Sequence, residues 1–184
     1  GLKAGEYCAI IGAGPIGLLA GMIAQAYGAH AILLDLVDER LQFAKELGIE
    51  YVINSKTEDT VKRISEITNG VMAQQVMECS GANAAIRSTL DLVSNAGRIT
   101  LTGWPKTETP LPTDLITKKE VDIRGARTSA GEFEEAIELI HSGRVGIKKI
   151  LTKVISIDEA PATIIDIEKN PGNYMKVVVQ VNEP

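Results

Sequence analysis

The chain is short of the residues that small folds use as staples. It has two cysteines, Cys8 and Cys79, far apart in sequence, and two histidines, His30 and His141. That excludes a disulfide scaffold and a four-cysteine zinc site built from this chain alone. A mixed site of two cysteines and two histidines is allowed by count but disfavoured by spacing, because neither pair is close. A basic surplus is also missing. Lys and Arg total 19 against 24 Asp and Glu, for a net charge of −5 and a pI near 5.2. This argues against a nucleic-acid or anionic-membrane surface. No repeat at a solenoid period is present. The chain opens on Gly1 without a signal-peptide pattern, and is read as a cytoplasmic segment of a longer protein. Its 184 residues, 45% apolar and 23% charged, have the balance of an ordinary soluble globular domain. The length suits one full domain plus a short extra piece. A chain of this size buries roughly 70% of its unfolded surface, so it needs no metal or disulfide to stay folded.

One stretch has no charge at all. Between Tyr7 and Leu34 there is no Asp, Glu, Lys or Arg, a run long enough to cross a bilayer of about 30 Å. Gly17 and Gly21 even form the small-residue pair of membrane dimers. Gly12, Gly14, Pro15 and Gly17 would break such a span, and no basic cluster flanks it. A strand–turn–helix unit accounts for the same residues better.

The rest of the chain keeps that rhythm. Strands are expected at Tyr7–Ile11, Ala31–Leu34, Tyr51–Ile53, Gln75–Cys79, Arg98–Thr102 and Val121–Ala126. Helices are expected between them at Pro15–Gly28, Asp38–Leu47, Glu58–Thr68 and Ala82–Val93, with a short helix or turn at Asp114–Lys119 and a further helix at Glu132–Ser142. In the first helix residues 16, 19, 20, 23 and 27 read as the inward face. Leu41, Ala44 and Leu47 do so in the second, Val61, Ile64 and Ile67 in the third, and Phe133, Ile137 and Ile140 in the last. Gly103–Thr113, with three prolines, reads as a loop. Alternating strands and helices favour right-handed crossovers and a parallel sheet covered on both faces. The fold class is therefore α/β, a doubly wound Rossmann-type sheet over residues 1–144. Residues 145–184 form a strand–helix–strand segment: Lys149–Ile157, a helix over Glu159–Lys169 capped by Asp158, and Tyr174–Val181.

Chemistry concentrates at Gly12-Ala13-Gly14-Pro15-Ile16-Gly17. A lone G-x-G-x-x-G is a weak signal. This one follows a strand, opens a helix and has Asp35 at the end of the next strand, the context of a dinucleotide site. Gly12 allows the tight turn, Gly14 allows backbone to approach a pyrophosphate, and Gly17 allows helix–strand packing. The helix N-terminus offers N–H donors and partial positive charge to phosphates. Asp35 is expected to accept hydrogen bonds from the adenosine ribose. It would repel a 2′-phosphate by ~4 kcal/mol per charge pair at 4 Å and an effective dielectric of 20. The sign favours NAD over NADP. Arg40 pulls the other way if it reaches the same ribose edge; its plainer role is a solvated helix arginine.

At this point the chain resembles the zinc-type medium-chain alcohol dehydrogenases, in the branch of sorbitol, threonine and sugar-acid dehydrogenases. The resemblance spans nearly the whole chain. It is carried by Gly5-Glu6, Gly12–Gly17, Asp35 with Arg40, Ala44–Gly48, Glu78-Cys79-Ser80-Gly81, Gly97-Arg98-Ile99, Thr102-Gly103-Trp104 and Ile123–Arg127. Arg127–Phe133 is similar to a stretch of the sugar-acid members. The resemblance implies that Ile16, Asp35 and Arg40 touch the pyrophosphate and adenosine ends of NAD. It sets Ser80, Thr102, Gly103 and Trp104 beside the ribose and nicotinamide, and Ala126 and Arg127 around the carboxamide. Plainer roles are a helix cap for Ser80, an exposed loop aromatic for Trp104 and a surface charge for Arg127. The family's zinc ligands and proton relay belong to an N-terminal domain that would precede Gly1. Cys8 and Cys79 read as core residues, and Glu138 and His141, three apart on one helix, as a solvated face. The resemblance further implies a homodimer through Val121–Ala126, and a C-terminal segment that packs on the preceding domain.

The function expected is the NAD-binding portion of an oxidoreductase. Hydride would pass between nicotinamide and a secondary alcohol or ketone of a polyol or sugar acid, the chain alone being inactive. The alternatives are the cofactor domain of a zinc-free quinone or enoyl reductase, and a free-standing NAD-sensing module. A short-chain dehydrogenase is disfavoured because none of Tyr7, Tyr27, Tyr51 and Tyr174 has a lysine four residues later to activate it.

Overall fold

The computed structural model describes residues 1–129 and 131–181. The chain divides into two compact units, Gly1–Val145 and Gly146–Pro184.

The first unit is a six-stranded sheet with helices between its strands. In chain order its elements are β1 (Tyr7–Ile11), α1 (Pro15–Ala26), β2 (His30–Asp35), α2 (Asp38–Glu46), β3 (Tyr51–Asn54), α3 (Thr60–Ile67), β4 (Ala73–Glu78), α4 (Asn83–Leu92), β5 (Val93–Leu101), α5 (Thr113–Lys119), β6 (Asp122–Gly125) and α6 (Phe133–His141). The strand order is β3-β2-β1-β4-β5-β6, and every neighbouring pair is parallel. The order reverses between β1 and β4, and that crevice is where doubly wound sheets place ligands. The α/β Rossmann reading of the sequence therefore stands.

The strands are apolar nearly throughout because both faces are covered. Ile10, Ile32, Leu33, Leu34 and Ile53 are fully buried, each contributing about 1.5–3 kcal/mol of transfer free energy. A core cluster of Ala9, Ile32, Leu34, Ile64, Val76, Leu90 and Ile99 joins β1, β2, β4 and β5 to α3 and α4. The helix face read from α1 is corrected. Its buried residues are Gly17, Leu18, Gly21 and Ala24, while Ile16, Ile23 and Tyr27 are exposed. The reason is steric. A Cβ on Gly17 would lie 1.8 Å from the Gly12 carbonyl oxygen, and one on Gly21 would lie 2.7 Å from Ile49 Cδ1. The glycine pair thus serves helix-on-sheet contact. Among the described residues no helix is long and apolar enough to cross a membrane.

In α2, Leu41 and Ala44 are buried as read, and Gly48 closes the helix with a φ of +90°. In α3, Ile64 is buried but Val61 is exposed. Between α4 and β5 there is no loop. The Lys119 ammonium bridges the junction, donating to the carbonyls of Leu90 (2.7 Å) and Val93 (2.8 Å). Partial burial there lowers its pKa. The inward face read for α6 is also corrected: Leu139 is buried, whereas Phe133, Ile137 and Ile140 are exposed. Polar contacts tie this helix to the end of α1. The Tyr27 hydroxyl donates to Glu135, and the Arg144 guanidinium lies 5.1 Å over the Tyr27 ring and donates to the Ala26 carbonyl.

The second unit is a strand–helix–strand: β7 (Leu151–Ser156), α7 (Ala160–Lys169) and β8 (Lys176–Gln180), with β7 and β8 parallel in their own two-stranded sheet. Ile147–Ile150, partly read as strand, is a short 3-10 turn. The cap assigned to Asp158 is corrected as well. The N-cap of α7 is Glu159, whose carboxylate turns back to accept from the Ser156 N–H and hydroxyl.

Candidate functional site

The site is built on the crevice between β1 and β4. The chain leaves β1 at Gly12, whose φ of +107° suits only glycine without strain. The Gly12 N–H donates to the Leu34 carbonyl at 2.7 Å, so the loop lies against the end of β2. Gly14 is the N-cap of α1. It supplies no side-chain cap, Pro15 follows with no N–H, and the first turn carries no acid. The positive end of the helix is therefore open to an anion. A Cβ on Gly14 would meet nothing within 4 Å, in contrast to Gly17. Protein packing does not explain the missing side chain at Gly14.

Asp35, at the end of β2, plays a second part that its spacing did not reveal. Its Oδ2 accepts from the Ala13 N–H of the glycine loop at 2.7 Å. Its Oδ1 accepts from the N–H groups of Leu36 (2.8 Å) and Val37 (3.0 Å). The carboxylate clamps the loop to β2 and keeps lone-pair capacity for a further donor.

Two cavities flank the loop. One, of about 490 Å³, is lined by Gly12, Asp35, Arg40, Ser55, Thr60 and Ser80, among others. The other, of about 650 Å³, is lined by Ile16, Thr102, Gly103, Trp104, Ala126 and Arg127, with Met77 and Thr128 at its wall. The sequence-selected residues thus fall into two groups, one on each side of the helix N-terminus. Ser80 faces the Asp35 cavity and Ile16 the Trp104 cavity. Pro15 and Gly14 stand at the helix start, while Gly17 is spent on packing. The Arg127 guanidinium sits 4.5 Å over the Trp104 ring, a cation–π pair. Sequence reasoning missed Ser55, Thr60 and Ser88 of the first cavity. Their signal was positional: they lie just beyond β3, at the start of α3 and in the helix after β4.

Among the described residues no group of three or more His, Cys, Asp and Glu side chains is placed to hold a metal. Burial pushes the Cys8 thiol up to about 12 and the Cys79 thiol up to about 11. Glu138 and His141 are exposed on α6. Nor does any histidine, cysteine or carboxylate line the second cavity.

Comparison with known proteins shows the family. The family described as zinc-binding dehydrogenase matches residues 15–142. The chain belongs to the zinc-binding dehydrogenase family. An uncharacterized zinc-type alcohol dehydrogenase-like protein of Haemophilus influenzae is 54% identical over 176 residues, covering 96% of this chain and 52% of that protein. A 2-dehydro-3-deoxy-L-galactonate 5-dehydrogenase of Pseudoalteromonas atlantica is 34% identical, over 98% of this chain and 53% of that one. A protein of Escherichia coli CFT073 named a short chain alcohol dehydrogenase, solved with NADH, superposes with a TM-score of 0.90 at 25% identity. It covers 97% of this chain and 53% of its own. The chain spans about half the length of the curated relatives it matches.

Proposed function

We propose that this chain is the NAD-binding portion of a dehydrogenase that moves hydride between nicotinamide and a secondary alcohol or ketone of a polyol or sugar acid. The observation that carries the reading is the uncapped, acid-free start of α1 with a bare Gly14, held against Asp35 at the point where the strand order reverses. The N-terminus of α1 would hold the pyrophosphate, and the cavity of Asp35, Arg40 and Ser80 the adenosine. The cavity of Thr102, Gly103, Trp104, Ala126 and Arg127 would hold the nicotinamide and its ribose. Bound NAD supplies the hydride acceptor; this chain orients it and shields it from water. The Asp35 carboxylate disfavours a 2′-phosphate, and the proposed preference is for NAD. Zinc, in this reading, is held by a part of the parent protein outside these 184 residues. The substrate class rests on the names of the sugar-acid relative above and of a Bacillus subtilis sorbitol dehydrogenase that is 33% identical. The second unit would pack on the rest of the parent. A homodimer would form through the exposed edge strand β6, in a protein of the cytoplasm.

Calorimetric titration of the chain with NADH and NADPH tests the proposal. Saturable NADH binding at least tenfold tighter than NADPH, weakened tenfold by Gly14→Ala without loss of fold, is the expected result. A folded chain that binds neither nucleotide overturns it. Asp35→Ala is a poorer probe, because it removes the clamp on the Ala13 N–H together with any ribose contact.

A further inference from the structure

A buried amide beside the Asp35 cavity has no role in the reading above. Asn54 ends β3 and is only 6% exposed. A buried amide must place both its donor and its acceptor. The Asn54 Nδ2 donates to Asp38 Oδ1 at 2.6 Å, and its Oδ1 accepts from the Lys56 N–H at 2.9 Å. A carboxylate accepts and an N–H donates, so these partners admit one orientation of the amide. The main chain is engaged as well. The Asn54 N–H donates to Glu58 Oε1 at 2.8 Å, and the Asn54 carbonyl accepts from the N–H groups of Thr57 (3.1 Å) and Glu58 (2.9 Å).

The side chain therefore joins two segments. One is the start of α2, where Asp38 is the first residue and Val37 supplies no side-chain cap. The other is the turn from β3 to α3. Both segments line the Asp35 cavity, with Val37 and Arg40 from the first, Ser55 from the second and Thr60 just beyond it. The Ser55 N–H also donates to the Asp35 carbonyl at 2.9 Å, which holds the turn to the end of β2. Neither segment lines the Trp104 cavity, whose wall comes from Ile16, from β4 and from the ends of β5 and β6 with the residues that follow them. Asn54 itself lines neither cavity.

We infer that Asn54 is a positioning residue for the adenosine half of the site. Its amide clips the turn that carries Ser55 to the helix start that carries Arg40, and so sets the spacing of two walls of one cavity. The inference rests on the NAD reading given above. Both groups that the side chain bonds belong to those two segments, so a substitution there acts on the Asp35 cavity and spares the Trp104 cavity. The isosteric change Asn54→Asp would set one carboxylate against another where a hydrogen bond now stands, and like charges at that distance drive the walls apart.

The test compares two ligands that share no half of the site. ADP fills the adenosine and pyrophosphate half; reduced nicotinamide mononucleotide fills the other. In Asn54→Asp, ADP affinity should fall tenfold or more while mononucleotide affinity stays within twofold of the unsubstituted chain. A general loosening of the fold would lower both together. Adding Asp38→Asn exchanges donor and acceptor across the clip, and ADP affinity should then return to within threefold of the unsubstituted chain. Undiminished ADP affinity in a folded Asn54→Asp protein, equal losses for the two ligands, or no recovery in a folded double variant overturns the inference. If Asn54→Asp does not fold, Asp38→Ala breaks the same bond from its exposed partner. It should lower ADP affinity about threefold and leave the mononucleotide unaffected, and unchanged ADP affinity there also overturns the inference. Failure of the NAD reading appears separately, as an unsubstituted chain that binds neither ADP nor NADH, and it takes this inference down with it.

Discussion

The two units of this chain use similar apolar residues to opposite effect. In the first, β2 buries four consecutive residues, Ala31 to Leu34, between covered faces. In the second, β7 buries only Ile155, and Val154, Ile164, Ile165, Val178 and Val179 are exposed. Both units are parallel strands joined through helices. The difference is the number of layers: six strands with helices interspersed make a closed core, whereas two strands and one helix do not. Apolar sequence alone thus does not fix burial; the number of layers around a strand decides it.

Substitutions can break this contrast. The largest effect is expected from Gly17→Val, whose Cβ would land 1.8 Å from a backbone oxygen. It should cost about 3 kcal/mol or more, read as a collapse of the urea midpoint. Next comes a matched pair. Leu33→Ala, fully buried in β2, should cost about 2–5 kcal/mol. Val178→Ala in β8, 42% exposed, should cost no more than about 0.5 kcal/mol. Equal costs would mean that the second unit has a core of its own and would end the comparison. Gly14→Ala sharpens it from within the first unit. Its methyl meets no protein atom, so stability should hold within about 0.5 kcal/mol while NADH affinity falls tenfold.

The smallest effect is electrostatic and lies in the second unit. The Tyr174 hydroxyl and the Asn170 amide both donate to Asp166, and they hold its carboxyl below the ordinary 3.8. A depressed folded-state pKa gives stability that is full above the ordinary carboxylate range and lost as pH falls through the lowered value. Asp166 is half-buried and solvent still reaches it, so the contribution is slight. An NMR titration should place its midpoint below 3.8, and Tyr174→Phe should raise it. An unchanged midpoint would show that the hydroxyl does not matter in solution.

What the sequence made legible follows the same division. The strand–helix order, the glycine loop and Asp35 were readable because each has a fixed spacing that only a few geometries satisfy. The buried face of α1 was not, because beside Leu18 it is made of Gly17, Gly21 and Ala24, which a search for bulky apolar residues passes over. The face of α6 was misread for the converse reason. Phe133 and Ile137 have helical spacing, yet they are 70% and 64% exposed in this chain. Asn54 did not stand out at all. A buried amide leaves no periodic trace, and its meaning lies in a helix start and a turn that meet in space. Ser55, Thr60 and Ser88 were silent too, being small polar residues with no spacing of their own.

The chain has one tryptophan, and it stands at the nicotinamide side of the proposed site. Trp104 is 73% exposed and faces the Arg127 guanidinium. Tryptophan fluorescence, excited beyond the absorption of the four tyrosines, therefore reports on one loop of this protein. Its emission should be that of a water-exposed indole in the folded state, and thermal or denaturant unfolding should shift it little, so a flat optical melt would not mean a stable protein. Energy transfer to a reduced nicotinamide at that wall should quench it strongly, which makes the native chain its own unlabelled binding probe.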